Sequence, residues 1–261
     1  MMKTPRNKIF HLLLLVVLLA HPLARIQAAG PTGTEVLLTQ SDANAIRFTV
    51  NVGWETLSLE SAITDEGSFL SVALPDAAST DEVGAPQLPV IGRMVAVPFG
   101  VELELTVIPG KSQTRQVSEL VLPVPEQVSE GQMPNDPNQP MGLPDFHSRY
   151  NIDPAYYKNA AVYPGLLGKI ANEGVLRQQR LVGIALYPVQ YNPVKGELTI
   201  YESFEVALTF RGTVQPAKRS TAPESPAYEV YYSEALLNYE SARGWRLDAS
   251  SQNELLGASS Q

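Results

Sequence analysis

The residue types that carry out most enzymatic chemistry are scarce in this sequence of 261 residues. It has no cysteine, which excludes a thiolate nucleophile and a thiolate metal site. Of its three histidines, His11 and His21 lie in an N-terminal segment that we expect to be removed, which leaves His147. A His-rich zinc site is therefore excluded, and a Ser-His-Asp triad would have to use His147 although the sequence has no G-x-S-x-G motif.

Other site chemistries find little support in the spacing of the polar residues. One histidine with carboxylates could still bind a metal, and the many acids leave paired-carboxylate catalysis open, but no spacing singles out a pair. The group from Asn135 to Asn138 lacks the spacing of a calcium loop and is better explained as a turn. The sequence predicts a protein that is not itself an enzyme and has no metal site and no cofactor.

The N-terminus has the three parts of a secretory signal peptide. Lys3, Arg6 and Lys8 form a positive start, and residues 9–20 are almost entirely apolar. An apolar run of about twelve residues is too short to span a bilayer, which needs about twenty. We expect cleavage near Ala28 and a secreted or cell-surface protein without a stable membrane span. A retained N-terminal anchor is the alternative.

Removal of the signal peptide makes the chain strongly acidic. Residues 1–28 hold four of the 19 Lys and Arg and none of the 27 Asp and Glu, so the remainder has 15 basic and 27 acidic side chains and a net charge of −12. Such a surface repels phosphate groups and anionic lipid. We therefore predict that the protein does not bind nucleic acid.

Short strands dominate the chain after the signal peptide. Residues 45–52 alternate between apolar and polar side chains, and residues 101–108 do the same, which is typical of strands with one buried face. Nine segments have strand character: 35–40, 45–52, 56–60, 68–74, 87–97, 101–108, 116–124, 176–187 and 197–210. The pattern predicts an all-β, antiparallel β-sandwich or jelly-roll-like domain over residues 29–211.

Two strand pairs are expected from the turns between the segments. Pro98 and Gly100 separate residues 87–97 from residues 101–108, which indicates a hairpin. The segments 176–187 and 197–210 are expected to pair in the same way.

Three segments are expected to lie outside the sheets. Residues 126–144 contain four prolines and are predicted to form a long extended loop, and residues 150–163 a short helix or turn. Residues 212–227 are predicted to be a linker with the basic pair Lys218 and Arg219. The rest of the chain, residues 228–261, is expected to form a short connector helix and a polar tail.

Two clusters of residues give the sequence a family resemblance. The first is Gly84-Ala85-Pro86-Gln87-Leu88-Pro89, followed by Val95-Ala96-Val97-Pro98. The second comprises Tyr163-Pro164, a strand from Arg180 that continues into Pro188-Val-Gln-Tyr-Asn-Pro193, and the strand from Gly196 to Tyr201. Over residues 35–211 the chain resembles the propeptide domain of gingipain-type secreted cysteine endopeptidases. The physical interpretation of the same residues is that they maintain the fold.

The resemblance implies a function. A gingipain propeptide covers the active site of its own protease during export, assists its folding and is later cut away, so the implied partner is a cognate gingipain-type cysteine protease domain. Residues 228–245 are similar to the connector that precedes the catalytic domain in such precursors. Because the catalytic Cys and His of the family have no counterpart here, we expect a truncated precursor or a free-standing inhibitor.

The resemblance also suggests which side chain would block a protease specific for basic residues. Such a residue must be exposed, on a loop and flanked by rigid extended structure. Arg149 is the first candidate and Lys158 the second, whereas Arg177 and Arg180 are expected to be solvated strand residues. Candidate processing sites are Ala28, Lys218 and Arg219. The alternative function is an exported β-sandwich surface or adhesion module; a small hydrolase is disfavoured by the residue types.

Overall fold

The structure, a computed structural model, describes residues 33–130, 145–212 and 224–247. Fifteen strands lie within these ranges: β1 Glu35–Ser41, β2 Ala45–Asn51, β3 Ser58–Thr64, β4 Gly67–Ala73, β5 Ala78–Ser79, β6 Pro89–Val97, β7 Glu102–Pro109, β8 Ser112–Gln116, β9 Glu126–Glu130, β10 Asp145–Arg149, β11 Gly168–Leu176, β12 Gln179–Leu186, β13 Val189–Asn192, β14 Glu197–Tyr201 and β15 Ser203–Arg211. Three short helices accompany them: α1 Pro154–Tyr157, α2 Pro226–Ala235 and α3 Tyr239–Ala242. The all-β prediction is confirmed.

The strands form three sheets and two hairpins. One sheet has the order β1-β2-β15-β7, the second β11-β12-β6-β5 and the third β13-β14-β8, while β3 pairs with β4 and β9 with β10. Every pairing between these strands is antiparallel. Some consecutive strands pair with each other, such as β1 with β2 and β11 with β12, whereas the chain passes from one sheet to another between β6 and β7 and between β14 and β15.

The core lies between the sheets and is built from the period-two faces of their central strands. Phe48 of β2 and Phe204 of β15 meet Val95 of β6, Ile184 of β12 and Ile200 of β14 in one cluster, and all five are buried. Each strand contributes alternate residues because successive side chains point to opposite faces. Burial of this apolar surface is the main force that holds the sheets together.

Both expected strand pairs are wrong. Strand β6 pairs with β12, whereas β7 pairs with β15, so the turn at Pro98–Gly100 carries the chain from one sheet to another. Strand β12 pairs with β11 and β6 and has no register with β15. Strands β6 and β7 thus have partners far away in the sequence, whereas β12 also pairs with β11, which directly precedes it.

The boundaries around residues 112–130 also differ from the prediction. The strand expected over residues 116–124 is wrong, because β8 ends at Gln116 and beyond it Val121 and Pro123 make only isolated bridges to Leu70 and Pro86. Residues 126–130 form β9 rather than the start of a loop. A ladder is compatible with this stretch because its prolines begin only at residue 134.

The C-terminal helices pack against the second sheet. Tyr232 and Leu236 of α2 and Ala242 of α3 form a small buried cluster with Ala96 of β6. Helix α2 begins at Pro226, a position that suits proline because the first helical N–H needs no partner within the helix. Within the described ranges, no helix combines the length and apolar character that crossing a membrane requires.

Candidate functional site

The hairpin of β9 and β10 holds Arg149 at its end. Arg149 lies opposite Glu126 in the antiparallel register, and its side chain is exposed. The expectation that Arg149 lies on a loop is wrong, because residues 126–130 supply a partner strand. The ladder fixes the direction of the Arg149 side chain more firmly than a loop would.

A surface cavity of about 300 Å³ separates this hairpin from the turn between β3 and β4. Its lining comprises Ala62, Ile63, Thr64, Asp65, Glu66, Leu122, His147, Ser148, Arg149 and Tyr150. Ile63 is 89% exposed and Phe146 65% exposed. We call residues 62–66 and 146–149 the hairpin surface; it combines the basic Arg149, the carboxylates of Asp65 and Glu66 and exposed apolar groups.

Helix α1 fixes the chain directly after Arg149. The Asp153 carboxylate accepts a hydrogen bond from Ala155 N at 2.8 Å and caps the helix. The Tyr157 hydroxyl donates to Val121 O at 2.7 Å, and the ring is buried in the main core. Burial in this apolar setting raises the pKa of Tyr157, because the phenolate would lose its water.

Gly84 joins this helix to the rest of the fold. Gly84 O accepts from Asp153 N at 3.1 Å, and Gly84 N donates to Val124 O at 2.9 Å. Gly84 has a φ of +82°, and a Cβ on residue 84 would lie 3.1 Å from the Asp153 Cβ. Glycine alone fits both this backbone angle and this space. The first sequence cluster therefore anchors the segment that follows Arg149.

The second candidate, Lys158, lies at the C-terminal end of α1. It is the C-cap residue and is exposed. It stands outside the lining of the cavity that Arg149 borders. The structure thus does not bring the two inhibitory candidates together in one pocket.

Arg177 and Arg180 have structural contacts and are not simply solvated strand residues. Arg180 Nη1 donates to Pro98 O and Val101 O, both at 2.9 Å, and its side chain is only 14% exposed. Arg177 lies in the turn between β11 and β12 with φ of +52° and forms an ion pair with Glu224 at 2.7 Å. The prediction of a solvated residue is wrong for Arg180, because single-sequence patterns do not reveal its distant backbone partners, whereas Arg177 is 48% exposed beside the strand as expected and pairs with Glu224 in addition.

The second sequence cluster holds the turn between β13 and β14. The Gln190 side chain accepts from Gly165 N and donates to Leu166 O, both at 2.9 Å. The Asn192 side chain donates to Ala160 O at 2.9 Å and accepts from Lys195 N at 3.0 Å. Both side chains are buried and satisfied in this way, so the cluster maintains the fold, as its physical interpretation predicted.

The described residues contain no group of three or more His, Cys, Asp or Glu side chains that could hold a metal ion. His147 lies in β10 opposite Val128 and borders the cavity. The processing candidates Ala28, Lys218 and Arg219 lie outside the residues that the structure describes.

The sequence matches a family model over almost the whole fold. The model Propeptide_C25 matches residues 29–243. The chain belongs to the Propeptide_C25 family. The match includes both sequence clusters, the hairpin surface and helix α2. Because this family describes a propeptide domain and the chain has no cysteine, the prediction that the chain is not itself an enzyme is confirmed.

Curated relatives of this Propeptide_C25 chain are gingipains of Porphyromonas gingivalis. Lys-gingipain is 28% identical over 211 residues, which cover 80% of this chain and 12% of the relative. Gingipain R2 is 24% identical over 195 residues, which cover 72% of this chain and 24% of the relative. The chain thus spans about an eighth to a quarter of the length of these relatives.

Two solved structures share the Propeptide_C25 fold. A chain of the complex of Porphyromonas gingivalis RgpB pro- and mature domains superposes with a TM-score of 0.59 at 22% identity, covering 78% of this chain and 97% of that one. A structure described as giving insight into zymogenic latency of gingipain K superposes with a TM-score of 0.55 at 22% identity, covering 70% and 96%. The shared fold confirms the predicted fold class.

Proposed function

We propose that this chain is the propeptide of a secreted gingipain-type cysteine endopeptidase, that it keeps the protease latent and that it assists the protease to fold. The observation that carries the proposal is membership of Propeptide_C25 over residues 29–243. The superposition on a chain from a complex of pro- and mature domains supports it further. The partner is then the catalytic domain of the cognate protease.

The hairpin surface has the properties that an inhibitory contact needs. Arg149 is exposed yet held at the end of a ladder, so little conformational entropy is lost when it enters a pocket. Ile63, which lines the same cavity and is exposed, offers an apolar contact beside it. We propose that Arg149 occupies the acidic specificity pocket of a protease that cleaves after basic residues, in an orientation that does not lead to cleavage.

Inhibition constants of the mature chain against an Arg-specific gingipain-type protease test this proposal. Loss of a desolvated charge at an interface costs about 2–5 kcal/mol, so Arg149→Ala should raise the inhibition constant by about thirtyfold or more. The control is Arg47→Ala, which removes an exposed arginine from β2. The same assay with Lys158→Ala tests the second candidate. A change of less than about threefold for Arg149→Ala rejects this residue, and absence of inhibition by the unaltered chain rejects the function.

Assistance in folding has its own measurement. The denatured catalytic domain should recover more activity after dilution from denaturant when an equal molar amount of the mature chain is present. The mature chain is digested before the activity is measured, because it would otherwise inhibit the refolded protease. An equal yield with and without the chain contradicts this part of the proposal and leaves inhibition unaffected.

Export and processing complete the proposed function. We propose cleavage of the signal peptide near Ala28 and later cleavage after Lys218 or Arg219, in a Pro- and Ser-containing segment. N-terminal sequencing of the exported protein should find a new terminus near residue 29, and Met1 there contradicts the first cut. Limited trypsin digestion should yield a fragment that ends at residue 218 or 219, and first cuts within residues 175–210 contradict the second.

Whether the chain is a truncated precursor or a free-standing inhibitor is decided by its gene. Coding sequence for a Cys/His protease domain directly downstream favours a precursor.

The adhesion alternative has one specific observation in its favour, a depression of about 390 Å³ on the outer face of the first sheet, lined by Thr39, Thr49, Thr106, Ala207 and Thr209 among others. Binding to a glycan array that Ala207→Arg abolishes would support it.

A further inference from the structure

The segment from Glu224 to Leu247, which we call the C-terminal segment, completes the edge of strand β6. One edge of β6 is paired with β12, and on the other edge β5 pairs only with Pro89 and Val90. Beyond β5 the C-terminal segment lies along this second edge of β6, where Leu237 N donates to Met94 O at 3.0 Å. It thus covers backbone groups of an edge strand that would otherwise have no partner in the sheet.

Asn238 takes the place of a strand residue at this edge. Its Oδ1 accepts from Ala96 N and its Nδ2 donates to Ala96 O, both at 2.9 Å. The side chain is 2% exposed. One carboxamide therefore satisfies the donor and the acceptor of Ala96, as the backbone of a neighbouring strand would.

Apolar contacts beside this edge hold the helix. Tyr232 and Leu236 are buried in a cluster with Ala96 and contact Leu176 and Leu181 of the neighbouring strands. The Tyr232 hydroxyl donates to Leu176 O at 2.8 Å. Burial of such side chains favours association without any covalent link.

The turn between β11 and β12 holds both ends of the C-terminal segment. Arg177 binds the Glu224 carboxylate at 2.7 Å, and the Glu224 side chain is fully buried. The Arg177 guanidinium also lies 4.7 Å from the centre of the Tyr228 ring. At the other end Leu247 N donates to Gln178 O at 3.1 Å. These contacts reach residues on both sides of the helices, so they do not depend on residues 213–223.

We infer that the C-terminal segment stays bound to the sheet after the chain is cut between residues 212 and 224. The β6 edge and the turn at Arg177 form a binding site, and its occupant is residues 224–247 of this same chain. A cut at Lys218 or Arg219 then breaks the covalent connection without separating the two parts. Release needs a second event that breaks the contacts of Asn238 and Tyr232. This inference does not depend on the proposed inhibition of a protease.

A single cut in the full mature chain tests this directly. A recognition site for a sequence-specific protease is inserted between Lys218 and Arg219, and cleavage is confirmed on a denaturing gel. On native size-exclusion chromatography at about 10 µM, both fragments should elute together at the volume of the uncut chain. Elution of the C-terminal fragment by itself overturns the inference.

Two variants show whether the β6 edge is responsible. Asn238→Ala leaves the N–H and C=O of Ala96 without partners. A buried polar group without a hydrogen-bond partner weakens association by about tenfold or more. The matched control is Glu234→Ala, an exposed position of α2 within the same C-terminal segment. After the cut, a labelled peptide of residues 224–247 should displace the Asn238→Ala fragment at least about tenfold faster than the control fragment. Equal rates overturn the assignment of the β6 edge, and the circular dichroism of both uncut variants verifies their folding.

Discussion

At the scale of single residues, Gly84 and Tyr157 decide how the chain after Arg149 is held. Gly84 accepts a backbone hydrogen bond from Asp153, and Tyr157 places its hydroxyl on Val121 O. Asp153 and Tyr157 are the fourth and the eighth residues after Arg149, and Gly84 and Val121 are their hydrogen-bond partners. A change at either position therefore alters the stability of the support behind the hairpin surface.

We expect Gly84→Ala to destabilise the protein by about 1–3 kcal/mol, because alanine would be strained at a φ of +82° and its Cβ would lie 3.1 Å from Asp153 Cβ. Urea unfolding of the mature chain measures the effect. Gly92→Ala is the control, since a Cβ there meets nothing within 4 Å, and its effect should stay within about 0.5 kcal/mol. Equal midpoints for the two variants contradict this prediction.

Tyr157→Phe should lower the free energy of unfolding by about 1–2 kcal/mol, because Val121 O loses its hydrogen-bond donor in a buried place. Tyr231→Phe, at a side chain that is 44% exposed, serves as the comparison. If Tyr157→Phe is as stable as Tyr231→Phe in urea, the hydroxyl of Tyr157 contributes nothing and the prediction is wrong.

At the scale of elements, α2 is held by charge as well as by apolar contact. Arg246 donates two hydrogen bonds to the Glu229 carboxylate, at 2.6 and 3.1 Å, and the Tyr239 hydroxyl donates a third at 2.8 Å. These bonds, that of Arg246 above all, lower the pKa of Glu229 below its usual 4.5. The shift links docking of the C-terminal segment to pH.

The pKa of Glu229 is lower in the folded protein than in the unfolded chain, so its contribution to stability is present above about pH 4.5 and is lost as the pH falls through the folded value. We expect the C-terminal segment to loosen in acid before the sheets unfold. Fluorescence of Trp245, whose ring packs 5.9 Å from that of Phe210, reports this in a Trp54→Phe background.

The control for this acid transition is a second carboxylate on the same helix. Glu229→Gln should remove the Trp245 transition and leave the segment loosened already at about pH 7, whereas Glu234→Gln should behave like the unaltered chain. A transition that persists in Glu229→Gln shows that other carboxylates cause it.

At the scale of the whole molecule, buried tyrosines make the fold sensitive to base. Burial raises the pKa of Tyr163 and that of Tyr232 to about 12, from the usual 10.0. A raised pKa means that the stability which these groups contribute is complete below about pH 10 and is lost as the pH rises through 10 to 12. Tyr157 adds to the effect in the same direction.

The expected result is a urea midpoint that is constant from about pH 8 to pH 10 and falls steeply above it. Tyr232→Phe should show a smaller fall than the unaltered chain, because one phenol fewer must ionise on unfolding. Tyr231→Phe, at an exposed ring, should not reduce the fall. A midpoint that does not change up to about pH 12 contradicts the prediction.

Sequence reasoning located the strands because a half-buried strand alternates with a period of two, and that signal is local. Residues 45–52 and 101–108 are examples, and both lie in strands whose alternate residues contact the core. The family clusters were likewise visible in short stretches, and Gly84 proved to need the backbone freedom of glycine. Arg149 was found as an exposed basic residue, although the wrong local structure was assigned to it.

The amino-acid sequence by itself thus determined the all-β class, the acidic surface, the absence of a thiol and the family. Only the tertiary structure decided which strands pair. It showed that Glu126–Glu130 forms the partner strand of the strand that contains Arg149, and that the Asn238 side chain binds the backbone of Ala96 at the edge of β6. Strand pairing joins residues as far apart as Ala96 and Asn238, and an alternating pattern fits many partners equally well. The choice among them follows from burying the apolar faces of the strands and pairing the backbone groups that become buried.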